Sequence, residues 1–394
     1  MHVKSIRDID IHARRVFFRF DFNVPLDESG VIKDDTRIRR ALPTLRYAVE
    51  QGARCILSSH LGRPKGERKP ELSLRPVAGN LAELLDKEVR FVDDCVGEAV
   101  EEASRALTDG EVLLLENLRF HAEETKNDPD FAAKLARTAE AYVNDAFGTA
   151  HRAHASTTGV PKLMAIKAAG LLMKEELDNL SRAFSNPRKP VVAIFGGAKV
   201  SDKLGVLRNI LDLMDSVLIG GGMANTFLAA RGLDMGNSKV EEDMAETVRE
   251  IVKAASEKGC RLYLPVDVVC APRPEDGIGS RTVDVESVPP DEMALDIGPR
   301  TAAEFKDVIG TAGTIVWNGP MGVFELDGFR AGTAEIAEAV ASAGAFSVVG
   351  GGDSVRAVHQ AGVTERISYI STGGGAFMEF MEGKTLPGVA ALEE

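Results

Sequence analysis

The 394-residue sequence lacks any uninterrupted apolar run of about 18 residues, the length that a membrane-spanning helix needs. Its first ten residues, MHVKSIRDID, are charged where a secretory signal peptide would be apolar. The four cysteines, Cys55, Cys95, Cys260 and Cys270, form no C-x-x-C pair, which argues against a zinc site and against a disulfide framework. We therefore expect a cytoplasmic protein whose cysteines are plain thiols.

Positive charge is also scarce, since the net charge is -13, and this argues against nucleic acid as a partner. The charge is unevenly spread along the chain. Residues 1–186 hold 28 Lys and Arg against 30 Asp and Glu, whereas residues 187–394 hold 19 against 30. The arginine-rich half is therefore the N-terminal one.

The common phosphate-binding motifs are missing as well. The chain has neither the Walker A pattern nor the G-x-G-x-x-G dinucleotide pattern. What it has is GGAKVSDK at 196–203, directly after the apolar run VVAIF, with glycines and lysines side by side. Taken alone, this stretch fits a phosphate-binding loop and an ordinary strand-to-helix turn equally well.

Apolar, β-branched runs alternate with amphipathic helical stretches almost throughout, which predicts an α/β protein with parallel sheets. Eleven runs are predicted as strands: 15–20, 53–59, 88–92, 111–116, 141–145, 190–195, 216–221, 261–265, 314–318, 346–351 and 367–371. Helical patterns between the first-half strands include 36–51, 77–87 and 130–140. Residues 265–300 lack helical periodicity, and their prolines and glycines favour a small antiparallel excursion.

A chain of this length favours two or three domains. The amphipathic stretch 170–190, which we expect to end at Asn186-Pro187, is the predicted connector and hinge. This gives an N-terminal domain over 1–170, an interdomain helix over 171–188 and a C-terminal domain over 189–378.

The loops after the predicted strands differ between the two halves, and α/β proteins bind ligands at these loops. In the first half they carry acidic, amide and basic side chains, which suit a small, multiply anionic ligand: Asp21, Asn23, His60, Arg63, Arg119, His151, Arg152 and His154, with Arg37 nearby. In the second half they are rich in glycine, as in GGAK, GGGMAN, WNGPMGVFE, GGGDS and STGGGA, which suits backbone contacts with phosphates.

Each feature has an ordinary structural explanation beside the functional one. A single arginine is more often a solvated surface residue than a ligand group, and a single GGG is as often a tight turn as a phosphate cradle. Asp353 in GGGDS is also a good helix cap. His121 and His359 lack any such loop context and are predicted to be structural. The functional interpretation depends on a coincidence: the polar loops and the glycine-rich loops all fall at strand ends. The polar loops lie in the first half of the chain and the glycine-rich loops in the second half.

The chain resembles the phosphoglycerate kinase family from end to end, through RFDFNVP, SSHLGRP, ENLRF, DAFGTAHRAHAS, GGAKVSDKL, WNGPMGVFE, GGGDS and STGGGAF. The resemblance implies two Rossmann-like domains with parallel six-stranded sheets, joined by a helix and a hinge. It implies a cytoplasmic, monomeric kinase of glycolysis that uses Mg²⁺ and interconverts ATP plus 3-phosphoglycerate with ADP plus 1,3-bisphosphoglycerate. It also implies that the C-terminal tail, here 379–394, returns to the N-terminal domain.

The resemblance also implies roles for individual residues. The 3-phosphoglycerate site matches Asp21, Asn23, Arg37, His60, Arg63, Arg119 and Arg152. The nucleotide site matches Gly197, Ala198, Lys203, Gly221, Gly222, Asn318, Pro320, Val323, Glu325, Gly351, Gly352, Asp353 and Ser354, with Glu325 expected at the ribose and Asp353 at the magnesium. The phosphoryl group in transfer matches Arg37, Lys199, Lys203, Gly373, Gly374 and Gly375. One departure is Ala294, where many members of the family have glycine beside the nucleotide.

The chemistry implied by the resemblance explains GGAKVSDK as half of a split charge clamp. A carboxylate acceptor is already ionised at neutral pH, so the reaction needs positive charge and water exclusion more than a general base. With a helix beginning near Val200, Lys199 and Lys203 are predicted to lie on one side of its first turn. Two other classes of protein fit the sequence less well. An exported solute-binding protein would be expected to begin with a signal peptide, and a dinucleotide-dependent dehydrogenase would be expected to contain G-x-G-x-x-G; the sequence shows neither feature. A catalytically dead paralogue fits the fold, but every matched phosphate-handling position is filled.

Overall fold

The computed structural model describes residues 3–393 and divides the chain into two compact units. The first unit is Met1–Leu177 with Thr385–Glu394, and the second is Asp178–Lys384. None of the helices within the described range is long and apolar enough to cross a membrane. Each unit contains one parallel six-stranded sheet, so the predicted α/β class with two such sheets is confirmed.

The sheet of the first unit has the order β3-β4-β2-β1-β5-β6, with every pairing parallel. Its strands are β1 Arg15–Arg19, β2 Arg54–Ser58, β3 Val89–Val92, β4 Val112–Leu115, β5 Ala141–Asn144 and β6 Lys167–Ala169. The helices are α1 Thr36–Glu50, α2 Arg75–Leu85, α3 Glu98–Arg105, α4 Ala122–Lys126, α5 Pro129–Ala136, α6 Val160–Lys162 and α7 Leu171–Phe184. The helix α7 runs through the boundary between the two units.

The second unit has a parallel sheet and a smaller antiparallel one. Its strands are β7 Val191–Phe195, β8 Ser216–Ile219, β9 Arg261–Tyr263, β10 Asp267–Ala271, β11 Arg281–Asp284, β12 Met293–Ile297, β13 Thr314–Asn318, β14 Phe346–Val349 and β15 Tyr369–Ile370. The parallel order is β15-β14-β13-β7-β8-β9, and β11-β10-β12 form the antiparallel sheet, which confirms the excursion predicted for 265–300. The helices are α8 Leu204–Ile210, α9 Gly221–Ala230, α10 Ala245–Glu257, α11 Pro299–Gly310, α12 Ala331–Ser342, α13 Gly352–Gln360 and α14 Gly375–Met381.

The C-terminal tail ends in a short helix, α15 Pro387–Ala390, which belongs to the first unit. Its Gly388 donates a backbone hydrogen bond to Ala150 O at 2.8 Å. Short 3₁₀ segments occupy Ile6–Asp8, Pro70–Leu72, Leu118–Phe120, Phe147–Thr149, Ser201–Lys203, Glu242–Met244, Val285–Ser287, Asp327–Phe329 and Thr364–Arg366, and Ala155–Gly159 is a turn of π-helix. The tail joins the first unit from Thr385.

Burial of the strands on both faces explains their unbroken apolar sequences. In the first unit Phe18, Phe20 and Phe22 stack in succession, with ring centroids 5.5 and 5.2 Å apart, inside the main core. In the second unit Trp317 and Phe305 are fully buried in the corresponding core. These cores fix the strands, and thereby the loops that follow them.

Three sequence expectations differ from the structure. The strand β6 was not predicted, because only three residues of it pair and KAA carries no strong β signal. The helix expected near Val200 begins instead at Leu204, since Ser201–Lys203 forms a 3₁₀ turn and Lys203 has φ −124° and ψ 5°. The connecting helix ends at Phe184, two residues before the predicted end.

Candidate functional site

The first unit presents polar side chains at the carboxyl edge of its sheet. The strands β4, β2, β1 and β5 are neighbours, so the loops after them meet at one edge. These loops carry eight of the residues named above: Asp21, Asn23, His60, Arg63, Arg119, His151, Arg152 and His154. Arg37 joins them from the first turn of α1, where its guanidinium is paired with Asp21.

Arg119 is a buried arginine with unused donor capacity. It is 7% exposed, and its Nη1 donates to Gly62 O at 2.8 Å. Its Nε and Nη2 have no hydrogen-bond partner among residues 3–393. Burial, reinforced by the neighbouring charges of Arg19 and Arg152, lowers the pKa of Arg119 to about 10. An anion that accepted these free N–H groups would relieve both costs.

Arg19, which the sequence analysis missed, lies beneath this edge. It is fully buried at the end of β1 and donates from Nε to Ser156 Oγ at 2.9 Å. Its Nη2 lies 3.2 Å from His60 Nδ1. Ser156 Oγ in turn donates to the buried Glu124 at 2.6 Å, so the arginine is linked to a carboxylate through one hydroxyl. The signal was available in the sequence, because the second arginine of RVFFRF stands between phenylalanines of a predicted buried strand, where a charged side chain needs a partner.

Two histidines at this edge, His60 and His154, are neutral at physiological pH. Burial and the charges of Arg19 and Arg119 lower the pKa of His60, and burial with the same two arginines lowers that of His154 to about 3. Because Arg19 donates to Nδ1 of His60, the ring proton of His60 is on Nε2. His60 therefore contributes a hydrogen-bond donor to the site rather than a charge.

The other predicted acid-site residues take different positions. Asn23 Oδ1 accepts from Gly62 N at 2.8 Å and so holds two loops together. Arg152 is half-buried, with its Nε 3.2 Å from His151 Nε2. Arg63 is exposed. The structure thus brings Asp21, Arg37, His60, Arg119 and Arg152 into one charged cluster, and Asn23 supports its backbone.

Glycine loops form the corresponding edge of the second unit. The neighbours β14, β13, β7 and β8 are followed by Gly350–Ser354, Gly319–Glu325, Gly196–Lys203 and Gly220–Asn225, while Gly373–Gly375 follow the outer strand β15. Many of these glycines are explained by packing of one loop on another. A Cβ at Gly196 would lie 1.9 Å from Pro320 O, and one at Gly319, where φ is +100°, would lie 2.3 Å from Gly196 O.

A second set of glycines faces open space. A Cβ at Gly352 or at Gly374 would meet no atom within 4 Å. Gly352 opens α13 and Gly374 directly precedes α14. Gly374 has a φ of +50°, so its backbone conformation alone explains the glycine. Neither packing within the described residues nor a positive φ requires glycine at Gly352, whereas a ligand that approaches the backbone would.

Lys203 is the buried cation of this edge. It is 9% exposed, and its Nζ donates to Asn318 O at 3.1 Å and to Asn318 Oδ1. Burial lowers the pKa of Lys203 to about 8, against the opposing effects of Asp202 and Asp353. Lys199, by contrast, is exposed and lies before the 3₁₀ turn. The predicted arrangement of both lysines on the first turn of one α-helix is therefore wrong.

Glu241, another residue that the sequence analysis missed, occupies the start of this turn. Its Oε2 accepts from Val200 N at 2.6 Å and from Ser201 N at 3.1 Å. These two donors are consequently used within the protein. A phosphate at this loop would have to be held by other groups, such as Lys203 and the backbone of Ala198.

Arg356 pairs with two acidic side chains at this edge, Glu325 and Asp353. The sequence analysis did not identify this arginine. Its Nη2 lies 2.6 Å from Glu325 Oε1 and 3.2 Å from Asp353 Oδ1, and its guanidinium lies 4.8 Å from the Phe324 ring. Ser354 Oγ accepts from Gly319 N at 2.6 Å.

The remaining predicted nucleotide residues support loop geometry. Val323 N donates to Leu295 O at 2.8 Å, and Gly197 N donates to Pro320 O at 2.9 Å. Gly221 and Gly351 have φ of +64° and +94°, and a Cβ at Gly222 would lie 3.1 Å from Ala198 O. Ala294, the departure noted in the sequence, is half-buried and donates its N–H to Ser238 Oγ at 2.8 Å.

Comparison with known proteins gives consistent matches over the whole chain. A family model described as phosphoglycerate kinase matches residues 6–384. The phosphoglycerate kinase of Koribacter versatilis is 55% identical, with 98% of each chain covered, and that of Moorella thermoacetica is 54% identical, with 99% of each covered. The structure of phosphoglycerate kinase from Coxiella burnetii is 42% identical and superposes with a TM-score of 0.94 over 99% of both chains. That from Pyrococcus horikoshii is 36% identical, with a TM-score of 0.83 over 99% of this chain and 98% of the other.

Proposed function

The chain belongs to the phosphoglycerate kinase family, which makes it an enzyme of the kinase class, and from this premise we propose that it catalyses reversible phosphoryl transfer between ATP and the carboxylate of 3-phosphoglycerate. The products in that direction are 1,3-bisphosphoglycerate and ADP. The proposal is supported above all by the contrast between two ligand edges, one with buried guanidinium groups and one with open glycine loops.

The first unit is the proposed binding site for 3-phosphoglycerate. Its phosphate and carboxylate are acceptors only, and they match the unused donors of the buried Arg119. His60, with its proton on Nε2, adds a neutral donor. Arg37, Arg63 and Arg152 supply further charge, while Asp21 and Asn23 orient Arg37 and the Gly62 loop.

The second unit is the proposed nucleotide site. The open backbone at Gly352, together with Ala198 and the hydroxyl of Ser354, would hold phosphates at the ends of the strands, and Gly197, which has no side chain, would leave room for them. Asn318, which already binds Lys203, places that lysine beside them. Glu325 is proposed to bind the ribose, which would require it to leave its ion pair with Arg356.

Magnesium fits the donors of the second unit. Mg²⁺ prefers oxygen ligands and is commonly held by one or two carboxylates together with substrate phosphates. Asp353 offers an exposed carboxylate, its side chain being 68% exposed, directly after the open Gly352. When bound there with the nucleotide, the ion would supply charge neutralisation at the phosphates.

Transfer to a carboxylate sets the demands on the protein. The acceptor is ionised at neutral pH, so no side chain has to remove a proton. The obstacle is the repulsion between an anionic nucleophile and a polyanionic donor, and it is overcome by fixed positive charge. Lys199 and Lys203, Arg37, and the backbone of Gly373, Gly374 and Gly375 are the proposed groups around the transferring phosphoryl group.

Lys203 is suited to this task by its burial. With a pKa of about 8 it is still protonated at pH 7, and its charge is poorly solvated before ligand binding. An incoming phosphate would stabilise that charge more than water does. Because acid and nucleotide are assigned to different units, closure of the units around both substrates is part of the proposal, and it would also keep water from the acyl phosphate.

A hydroxylamine-trapping assay tests the function. Purified protein is mixed with Mg-ATP and 3-phosphoglycerate, and the acyl phosphate is captured as its hydroxamate. We expect hydroxamate only when protein, magnesium, ATP and 3-phosphoglycerate are all present. Formation with glycerol 3-phosphate, which has no carboxylate, would contradict the assigned acceptor, and absence of product with all components present would contradict the activity.

A further inference from the structure

Three side chains of the first unit, none of them assigned above, converge at one place. Asp94 and Cys95 follow β3, and His121 directly precedes α4. A carboxylate oxygen of Asp94, Sγ of Cys95 and a ring nitrogen of His121 lie within 4.8 Å of one another. We propose that these three residues form a binding site for a thiophilic divalent cation of the Zn²⁺ type, distinct from the magnesium of the reaction.

The donor set selects this class of ion. Thiolate, imidazole and carboxylate are the three side-chain ligands of zinc, whereas Mg²⁺ prefers oxygen alone. The sequence spacing gave no hint of the site, because the cysteine has no C-x-x-C partner and His121 lies far along the chain. Only the fold brings the loop after β3 against the segment that follows β4.

Partial exposure of Asp94 and His121 leaves an entry path for the ion. Cys95 is 1% exposed and closes the site from the protein side. The side chains of Asp94 and His121 are 46% and 29% exposed, so a water molecule can complete the coordination from the solvent side. Three protein ligands and one water is an arrangement that zinc adopts frequently.

The surroundings hold the ligands in place. His121 Nε2 lies 2.7 Å from Asp94 Oδ1, and Cys95 N donates to the same oxygen at 2.7 Å. The His121 ring packs on Phe131, with centroids 5.2 Å apart. Tetrahedral bonds of about 2.0–2.3 Å place ligand atoms roughly 3.3–3.6 Å apart, so the carboxylate and the imidazole would separate slightly and the sulfur would approach them.

Binding of the ion would change protonation as well as geometry. The cysteine ligand of zinc is the thiolate, so the bound cation would displace the proton of the Cys95 thiol to solvent, and His121 would bind through an unprotonated ring nitrogen. An Asp94–His121 ion pair beside an inert thiol is the alternative, and it predicts no metal-dependent signal from the sulfur.

Cobalt titration of the metal-stripped full-length protein separates these two arrangements. We expect about one equivalent of Co²⁺ to produce a thiolate-to-cobalt charge-transfer band and intense visible bands of tetrahedral cobalt, and Zn²⁺ to abolish both. Cys95→Ser should lose the charge-transfer band. The matched control is Cys260→Ser, which replaces a buried cysteine of the second unit and should keep the band.

If Cys95→Ser does not fold, variants of the two partly exposed ligands, Asp94 and His121, still test the proposal. His121→Gln and Asp94→Asn should each weaken cobalt binding about tenfold or more while circular dichroism shows a folded protein. An absent charge-transfer band in the folded wild type would overturn the proposal. So would a band that survives in folded Cys95→Ser, that disappears in Cys260→Ser, or that is unaffected in both His121→Gln and Asp94→Asn.

Discussion

The two proposed ligand edges differ in the groups that they would offer to an anion. In the first unit the charge is on side chains, and Arg19, Arg119 and two neutral histidines are buried together. In the second unit most of the edge is backbone, with glycines that face open space and one buried cation, Lys203. Both are proposed anion sites, but one is built from titratable groups and the other mainly from peptide N–H groups.

This difference determines which site is under electrostatic strain without a ligand. Burial and the neighbouring charges of Arg19 and Arg152 lower the pKa of Arg119, and burial beside Arg119 and Arg19 lowers the pKa of His154, which is therefore neutral. Peptide dipoles carry no net charge and impose no comparable cost. The acid edge should therefore respond strongly to charge removal, and the glycine edge to shape. Lys203 is the exception within the second unit, and the largest effect is expected there.

Replacement of Lys203 by methionine should cause the greatest loss of activity. The side chain is the only buried cation of the glycine edge within the described range. Removal of one charge that stabilises the transferring phosphoryl group should lower kcat by about a thousandfold or more. Binding of 3-phosphoglycerate, measured by calorimetry, should change little. The control is Lys253→Met, at a lysine of α10 whose side chain is 78% exposed.

The same variant should be more stable than the wild type at neutral pH. Burial holds the pKa of Lys203 at about 8, below its ordinary 10.5, so the folded state bears a penalty for the charged amine. Between these two values the unfolded chain binds more protons, and the stability of the wild type rises with pH. Lys203→Met should gain about 1–3 kcal/mol at pH 7, and the gain should fade as pH rises from 8 to 10.5. Near-normal turnover of Lys203→Met, or a lower stability at pH 7, would contradict the idea that the charge of Lys203 destabilises the free protein and serves the bound ligand.

Loss of Arg119 should have a large but different effect. Arg119→Met removes the unused donors at the acid edge, so the dissociation constant for 3-phosphoglycerate should rise about 10–100-fold. Nucleotide binding should be unchanged, because this arginine and the glycine loops belong to different units. Calorimetric titration with each ligand separately measures both quantities.

Arg105→Met supplies the comparison for Arg119, since this arginine lies on α3 with 57% of its side chain exposed. It should leave both affinities unchanged. If Arg119→Met binds 3-phosphoglycerate as tightly as Arg105→Met does, the acid site does not lie at this edge of the sheet.

Sequence patterns were sufficient for the fold and for many of the loops at strand ends. Apolar runs that alternate with amphipathic stretches predicted parallel sheets, and strand-end loops followed from that topology. What the sequence could not provide were contacts between distant segments. Arg19 binds Ser156, and Glu241 binds the backbone at Val200 and Ser201. Glu241 also shows why the helix start was wrong, because it caps a turn that ends before α8 begins.

The glycines show a second limit of sequence. Gly319 and Gly352 look alike as members of glycine-rich loops, but only the structure shows that Gly319 packs on Gly196 whereas Gly352 faces open space. The local composition indicates where small residues are needed, but it does not indicate which atoms surround each of them. The distinction can be tested by the smallest substitution available, alanine.

Alanine at these two glycines should separate packing from ligand binding. Gly319→Ala places a methyl group 2.3 Å from Gly196 O at a φ of +100°, so it should lower the free energy of unfolding by about 2 kcal/mol or more. Gly352→Ala meets no protein atom within 4 Å, so stability should be kept or slightly raised at the start of α13. Its effect should be a several-fold rise in the KM for ATP, measured beside chemical denaturation of both variants. If Gly352→Ala leaves the KM unchanged, the phosphates do not approach this backbone, and the glycines of the second unit are needed for packing alone.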